Sequence, residues 1–189
     1  MESSRPGYLL CQDTDYLGTI KGVGRIYLQS VVDSYCSLAF AKVSLSKLPI
    51  TAVDILHERV LPFYENTGLE VENLLTDNGR EFCGRPLKHF YELYLAVNQI
   101  GHRNTKVNSP QTNGFCERFH QTVADEFVKI QFRKKIYQSL PELQEDLDQF
   151  LEFYNDRRAH LGYGVKGRTP MKAFEGYRET FREEVKPAA

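Results

Sequence analysis

The stretch YLLCQDTDYLGTIKGVGRIYLQSVVDSYCSLAFAKVSL, residues 8–45, decides the architecture. YLLCQDTDY is apolar and turns polar at its end. RIYLQSVVD alternates and is rich in β-branched residues, and SLAFAKVSL is a third run of the same kind. The Gly-rich KGVG (residues 21–24) and DSY separate the three. Strands joined by two tight turns predict an antiparallel meander.

Outward from the meander the period changes. TAVDILHERVLPFYEN (51–66) has helical spacing, with Thr51 placed to cap its start and Pro62 expected to kink the helix or end it early. VENLLT (71–76) reads as a short buried strand closed by Asp77-Asn78-Gly79. A helix is expected from about Pro86, and a short strand near Asn98–Arg103. The segment 115–132 places Phe115, Phe119, Val123, Phe127 and Ile130 on one stripe and leaves Glu117, His120 and Gln121 outside it. Ser139-Leu140-Pro141-Glu142 has the form of a capping box for a further helix, and a short helix follows near the end. Strands, helix, strand, helix, strand, then helices give an α/β domain with a mixed sheet and helices on both faces.

Composition supports one soluble globular domain: 189 residues, 41% hydrophobic and 26% charged. No run of 18 or more apolar residues appears, so no membrane-spanning helix is expected, and MESSRPGYLLCQD does not read as a secretory signal. Cys11, Cys36, Cys83 and Cys116 lie far apart, outlining neither a zinc site nor a disulfide framework, so a reducing cytosol is the default reading. The net charge of −1 excludes a uniformly basic nucleic-acid binder. The charge is uneven, however. Residues 101–135 hold seven Lys/Arg against three acids, whereas residues 1–100 hold nine against twelve. A basic stripe beside an acidic region suits a protein that holds a polyanion and also binds cations, although a solvated helix face has the same composition.

Three acids stand where secondary structure stops or turns. Asp13 lies on the first strand, with Asp15 two residues on and on the same side. Asp77 closes the fourth strand, and Glu117 opens the helix behind NSPQTNG. Taken singly, Asp77-Asn78-Gly79 is also an ordinary turn, and Glu117 an acid favoured by a helix dipole. Brought together, the three would repel, and their burial would be costly without cations. A pair of hard divalent ions resolves that conflict, and two metals about 4 Å apart can serve an in-line displacement at phosphorus.

QDTDYLG, VVDSYCSLAFA, LLTDNGREF, NSPQTNGFCERFH, and the later YNDRRAH (154–160) and GRTPMKAF (167–174) together resemble the catalytic core of the integrase-like DDE transposases. This group includes retroviral integrases and many bacterial insertion-sequence transposases. The resemblance runs from about Gly7 to Glu175, and 39 residues separate Asp77 from Glu117. It implies an RNase H-like fold with a five-stranded mixed sheet flanked by helices. It also implies a catalytic triad of Asp13, Asp77 and Glu117 binding two Mg²⁺ or Mn²⁺ ions. The activity implied is cleavage of DNA at transposon ends, followed by attack of the freed 3′-hydroxyl on target DNA. The loop 104–114 is expected to be mobile and to shape a DNA channel. Arg103, Lys106, Arg118, His120 and Gln121 become candidates for DNA contacts, and Asp15 and Asn78 for support of the metal ligands. The expected partners are DNA, both element ends and target, and further copies of the chain, at least as a dimer. The expected setting is the bacterial cytosol at the nucleoid.

Some residues depart from the family pattern. Asp15 stands where threonine is common, which leaves Asp13 and Asp15 as rival first ligands. His120 replaces a frequent asparagine, and it reads either as a group reaching phosphate or metal-bound water, or as a histidine paired with an acid. Arg118 reads equally as an arginine paired with an acid, Asp33 reads as a turn cap, and Ala159 replaces a usual proline. The N-terminal DNA-recognition domains usual in such proteins do not fit before Gly7. The expectation is therefore residues 1–6 as a disordered tail, a core alone over 7–176, and a polar tail over 177–189, from a truncated element or split reading frame. A catalytically silent DNA-binding or multimerising remnant and a general RNase H-like nuclease are the alternatives.

Overall fold

The computed structural model describes residues 3–85, 88–105, 114–162 and 164–184. The meander forms as expected: β1 (Leu10–Ile20), β2 (Gly24–Asp33) and β3 (Ala39–Ser44), antiparallel throughout. The turn between β1 and β2 uses Gly22 and Gly24, both at positive φ, where a side chain would be strained. β4 (Asn73–Thr76) and β5 (Gly101–Asn104) then add in parallel to the other side of β1, giving the order β3-β2-β1-β4-β5.

Helices cover both faces because adjacent residues of the central strands are apolar in both directions. Leu10, Val31 and Leu74 pack with Val53, Leu56, Tyr64, Tyr91 and Phe174. Leu9, Cys11, Val32 and Leu75 pack oppositely with Phe119, Val123, Phe127, Leu147 and Tyr154. The first layer is α1 (residues 49–67), α2 (Phe90–Val97) and α5 (Pro170–Glu184). The second is α3 (residues 114–134) and α4 (residues 140–157). Among the described residues no helix is long and apolar enough to cross a membrane.

Several helix details differ from expectation. α1 begins at Pro49 rather than at Thr51. The Thr51 hydroxyl accepts from the Leu48 N–H at 3.2 Å, satisfying a first-turn donor from inside the helix. Pro62 does not end α1. A π-helical turn, Leu56–Val60, precedes it, with Leu61 N–H bonded to the Leu56 carbonyl, and the chain stays helical to Thr67. The wider turn absorbs the missing donor and the bulk of the proline ring. α2 starts at Phe90, after an extended His89 rather than near Pro86. In α3 a second π-helical turn, Val123–Val128, shifts the phase of the apolar stripe. Cys116, Phe119, Val123 and Phe127 are buried, whereas Ile130 is 42% exposed.

Two buried polar systems fix the sheet. The Asp33 carboxylate accepts from Gly7 N (2.8 Å), Tyr35 N (2.7 Å), Cys36 N (3.3 Å) and Tyr64 Oη (2.6 Å), so it is the turn cap expected. Gln12 Nε2 donates to the Ala52 carbonyl and its Oε1 accepts from Tyr91 Oη, each at 2.7 Å, which locks β1 to α1 and α2. The outer edge of β3 is closed by side chains of α4. Asn155 accepts from Ala39 N at 3.0 Å and donates to its carbonyl at 2.9 Å, and Gln144 accepts from Val43 N at 2.8 Å. Beyond the span 7–176, Arg5 pairs with Glu72 and Tyr177 packs edge-on against Tyr35.

Candidate active site

Strand register brings two of the three acids together. Cys11 of β1 lies beside Leu75 of β4 in parallel pairing. Asp13 and Asp77, each two residues further on, therefore lie level with one another, Asp13 within β1 and Asp77 just past the end of β4. Each is oriented by a backbone N–H: Thr14 N donates to Asp13 Oδ1 and Gly79 N to Asp77 Oδ1, both at 2.8 Å. Gly79 lets both carboxylates approach, because a Cβ there would lie 2.7 Å from Asp77 Oδ1 and 2.6 Å from Glu81 Oε2 and would push these side chains aside. Asn78 ties this turn to the end of β5, donating to the Thr105 carbonyl and accepting from Asn104 Nδ2, both at 3.1 Å.

The site is short of positive charge. Burial pushes the Asp13 carboxyl up to about 6; the Thr14 N–H opposes this, the Asp77 carboxylate adds to it, Lys47 opposes it and Asp15 adds to it. Lys47 and Glu81 are the residues that the sequence reading missed. Lys47 Nζ lies 2.8 Å from Glu81 Oε1, and the Glu81 side chain is only 3% exposed. Burial works against the Lys47 charge, but Glu81, with Asp77 and Asp13 behind it, outweighs that and holds the ammonium above its usual value. The available signal was Glu81 itself, an acid inside LLTDNGREF next to the apolar Phe82.

Glu117 lies on the first turn of α3, exposed. Among the described residues no three His, Cys, Asp or Glu side chains are gathered closely enough to hold a metal ion, so Glu117 is not joined to Asp13 and Asp77 here. Between them stands His120. Its Nε2 is 2.6 Å from Ser30 Oγ and its Nδ1 is 3.9 Å from Asp13 Oδ2. Ser30 is also the cross-strand partner of Asp13. Burial lowers the His120 pKa against the opposing pull of Asp15 and Glu117, so the ring is neutral at pH 7.

The other candidates are dispersed. Asp15 accepts from Tyr16 N at 2.9 Å and acts electrostatically on His120 and on Asp13. Arg118 lies over the Phe115 ring at 5.0 Å, Arg103 donates to Asn73 Oδ1 at 3.1 Å, and Gln121 donates to Asp125 at 2.6 Å. Lys106 and most of the loop 104–114 lie outside the described residues.

Residues 98–170 match the family model described as Integrase core domain. A protein of Spiroplasma virus SpV1-C74 named as an integrase, ORF3, is 31% identical over 144 residues, covering 72% of this chain and 39% of that protein. An uncharacterised Caenorhabditis elegans protein is 27% identical over 162 residues, covering 86% of this chain and 11% of its own length. The chain thus spans well under half of either relative. Among solved structures, a chain of the simian T-cell lymphotropic virus intasome in complex with a PP2A regulatory subunit superimposes with a TM-score of 0.72 at 16% identity, covering 92% of this chain and 56% of that one. The HTLV-2 integrase catalytic core domain in complex with magnesium gives 0.66 at 15% identity, covering 91% and 99%. The BIV integrase catalytic core gives 0.63 at 18%, covering 95% and 99%. At these identities the likeness is one of fold, and that fold is the RNase H-like one, with its five-stranded mixed sheet, that the sequence implied. Family model, viral relative and solved folds converge on one domain and support an integrase-like catalytic core.

Proposed function

We propose that the chain is the catalytic core of a DDE recombinase, which cuts DNA strands at element ends and joins the freed 3′-hydroxyl to target DNA. The observation that carries this reading is the level placement of Asp13 and Asp77 at adjacent parallel strands, with the Asp13 carboxyl raised to about 6 by burial and by the Asp77 charge. An all-oxygen donor pair, one member buried against its charge, fits a hard divalent ion such as Mg²⁺ or Mn²⁺. Asp13 and Asp77 would hold it, with Glu117 as the third carboxylate and a second ion alongside. When bound, such ions supply activation of the attacking oxygen and stabilisation of the leaving one. The chain itself supplies orientation. Thr14 N and Gly79 N each occupy one carboxylate oxygen and leave the other without a backbone donor. Arg103 and Arg118 offer exposed cations to DNA phosphates. DNA and a second copy of the chain are the proposed partners, since two DNA ends must be handled together.

The test is Mn²⁺-dependent cleavage and strand transfer on duplex DNA. Asp13→Asn and Asp77→Asn are each expected to lower both rates by about 100-fold or more while DNA binding persists. Metal-dependent cleavage undiminished in Asp77→Asn contradicts the assignment, and nicking without any joined product indicates a plain RNase H-like nuclease. A silent DNA-binding or multimerising remnant is favoured by one observation, the separation of Glu117 from the other two acids. It predicts DNA binding that is indifferent to metal, with no cleavage.

A further inference from the structure

Among the described residues, Lys47 is the lysine beside the two level acids, and it has no role so far. Lys47 lies between β3 and α1 on a backbone fastened on both sides. Ser44 Oγ donates to the Ser46 carbonyl at 2.8 Å, Thr51 Oγ1 to the same carbonyl at 3.1 Å, and Leu48 N to Thr51 Oγ1 at 3.2 Å. Its ammonium is held by Glu81, a carboxylate nearly sealed from water. Glu81 in turn shares the Asp77 turn, since its Oε2 and Asp77 Oδ1 flank the bare Cα of Gly79. Yet the Lys47 side chain is 38% exposed.

A purely structural ion pair explains this arrangement poorly. Buried pairs are weak sources of stability compared with apolar residues of similar size. An untethered lysine here would fall onto Asp13 and Asp77 and compete with any cation they bind. Glu81 prevents that by pairing with the ammonium, while the Lys47 side chain stays partly exposed beside the acids.

We propose that Lys47, held by Glu81, is a phosphate-positioning residue of this site, its ligand a backbone phosphate of the DNA strand that docks at Asp13 and Asp77. The proposal rests on the recombinase reading above. A lysine binds phosphate as a point charge, and each phosphate it neutralises adds to the salt dependence of binding.

The experiment compares wild type, Lys47→Arg and the double variant Lys47→Gln/Glu81→Gln, which removes both charges and leaves no buried carboxylate unpaired. Duplex DNA affinity is measured across salt concentrations, together with kcat and KM for Mn²⁺-dependent cleavage. The double variant is expected to show a slope of log K against log salt shallower by about 0.9 for one lost phosphate contact. Its kcat/KM should fall about tenfold or more, and Lys47→Arg should restore most of both. Unchanged slope and unchanged kcat/KM in the double variant overturn the proposal. In wild type, bound DNA should also protect Lys47 from acetylation, scored by mass spectrometry, so the outcome does not depend on the variants folding. Acetylation undiminished by DNA overturns the proposal equally. A wild type that neither binds nor cuts DNA removes the recombinase reading and this inference together. A wild type that cuts DNA no better than the double variant removes only the role of Lys47.

Discussion

Asp13 carries a conflict that its neighbours do not settle. Its carboxyl is raised from 3.8 to about 6, first by burial and then by Asp77. The metal-free folded state therefore holds a proton that the unfolded chain has released, and that contribution to stability, full below pH 4, is lost as pH rises towards 6. In metal-free buffer, Asp13→Asn should abolish that decline and be more stable than wild type at pH 7 by about 1–2 kcal/mol, read from urea midpoints. A variant no more stable at pH 7 contradicts the claim that Asp13 is buried against its charge. Asp33 shows the opposite solution for a buried acid, since four donors converge on it. Asp33→Ala leaves those donors without an acceptor and should cost about 3 kcal/mol in the same measurement, whereas a loss under 1 kcal/mol would mean that water replaces the carboxylate there. At this scale the sequence showed Asp77 closing a strand, because the DNG turn is local chemistry, and singled out Asp13 because strands are depleted in Asp, although β1 continues past it to Ile20. It hid the Lys47–Glu81 pair, because a contact between residues 34 positions apart in the chain leaves no local pattern.

At the scale of elements, the exposed border of β3 depends on α4. Asn155 completes both backbone groups of Ala39, and Gln144 takes the Val43 N–H. Asn155→Ala should destabilise the fold by about 2 kcal/mol and deprotect the Ala39 amide to hydrogen exchange before the β1 amides. Equal protection in variant and wild type would show that the edge does not need the amide. Such a closed edge also removes a template for unwanted strand pairing. The alternation of β1 to β3 and the Ser139 cap, whose Oγ accepts from Glu142 N at 3.4 Å, were legible because each rests on residues a few positions apart. The π-helical turns were not. Helical periodicity assumes 3.6 residues per turn, and one extra residue in Val123–Val128 is enough to turn Ile130 away from the core that Phe119, Val123 and Phe127 enter. Of the two fates expected for Pro62, an early end is excluded, because the π-helical turn before the proline lets α1 continue to Thr67.

Across the whole molecule, the order β3-β2-β1-β4-β5 sets what the site can do. It makes β1 the central strand and gives it a parallel neighbour, so two acids far apart in the chain end level at one border of the sheet. Meander, then helix, then a parallel strand was readable from the changes of period, but the register that aligns Asp13 with Asp77 was not, because strand pairing is a tertiary property. Glu117 stands on α3, which covers the same face of the sheet that Asp13 shares with Leu9 and Cys11, beside the neutral His120, and a cation at Asp13 and Asp77 would relieve the repulsion that opposes its arrival. The most direct measurement is thermal unfolding during a Mn²⁺ titration of wild type and Asp77→Asn at pH 7.5. A site present only in the folded state should raise the wild-type melting temperature by roughly 5–10 °C at a metal concentration about a hundredfold above Kd, with Asp77→Asn losing most of the rise. A melting temperature unmoved by Mn²⁺ in wild type, or moved equally in both proteins, would contradict a divalent-cation site at Asp13 and Asp77.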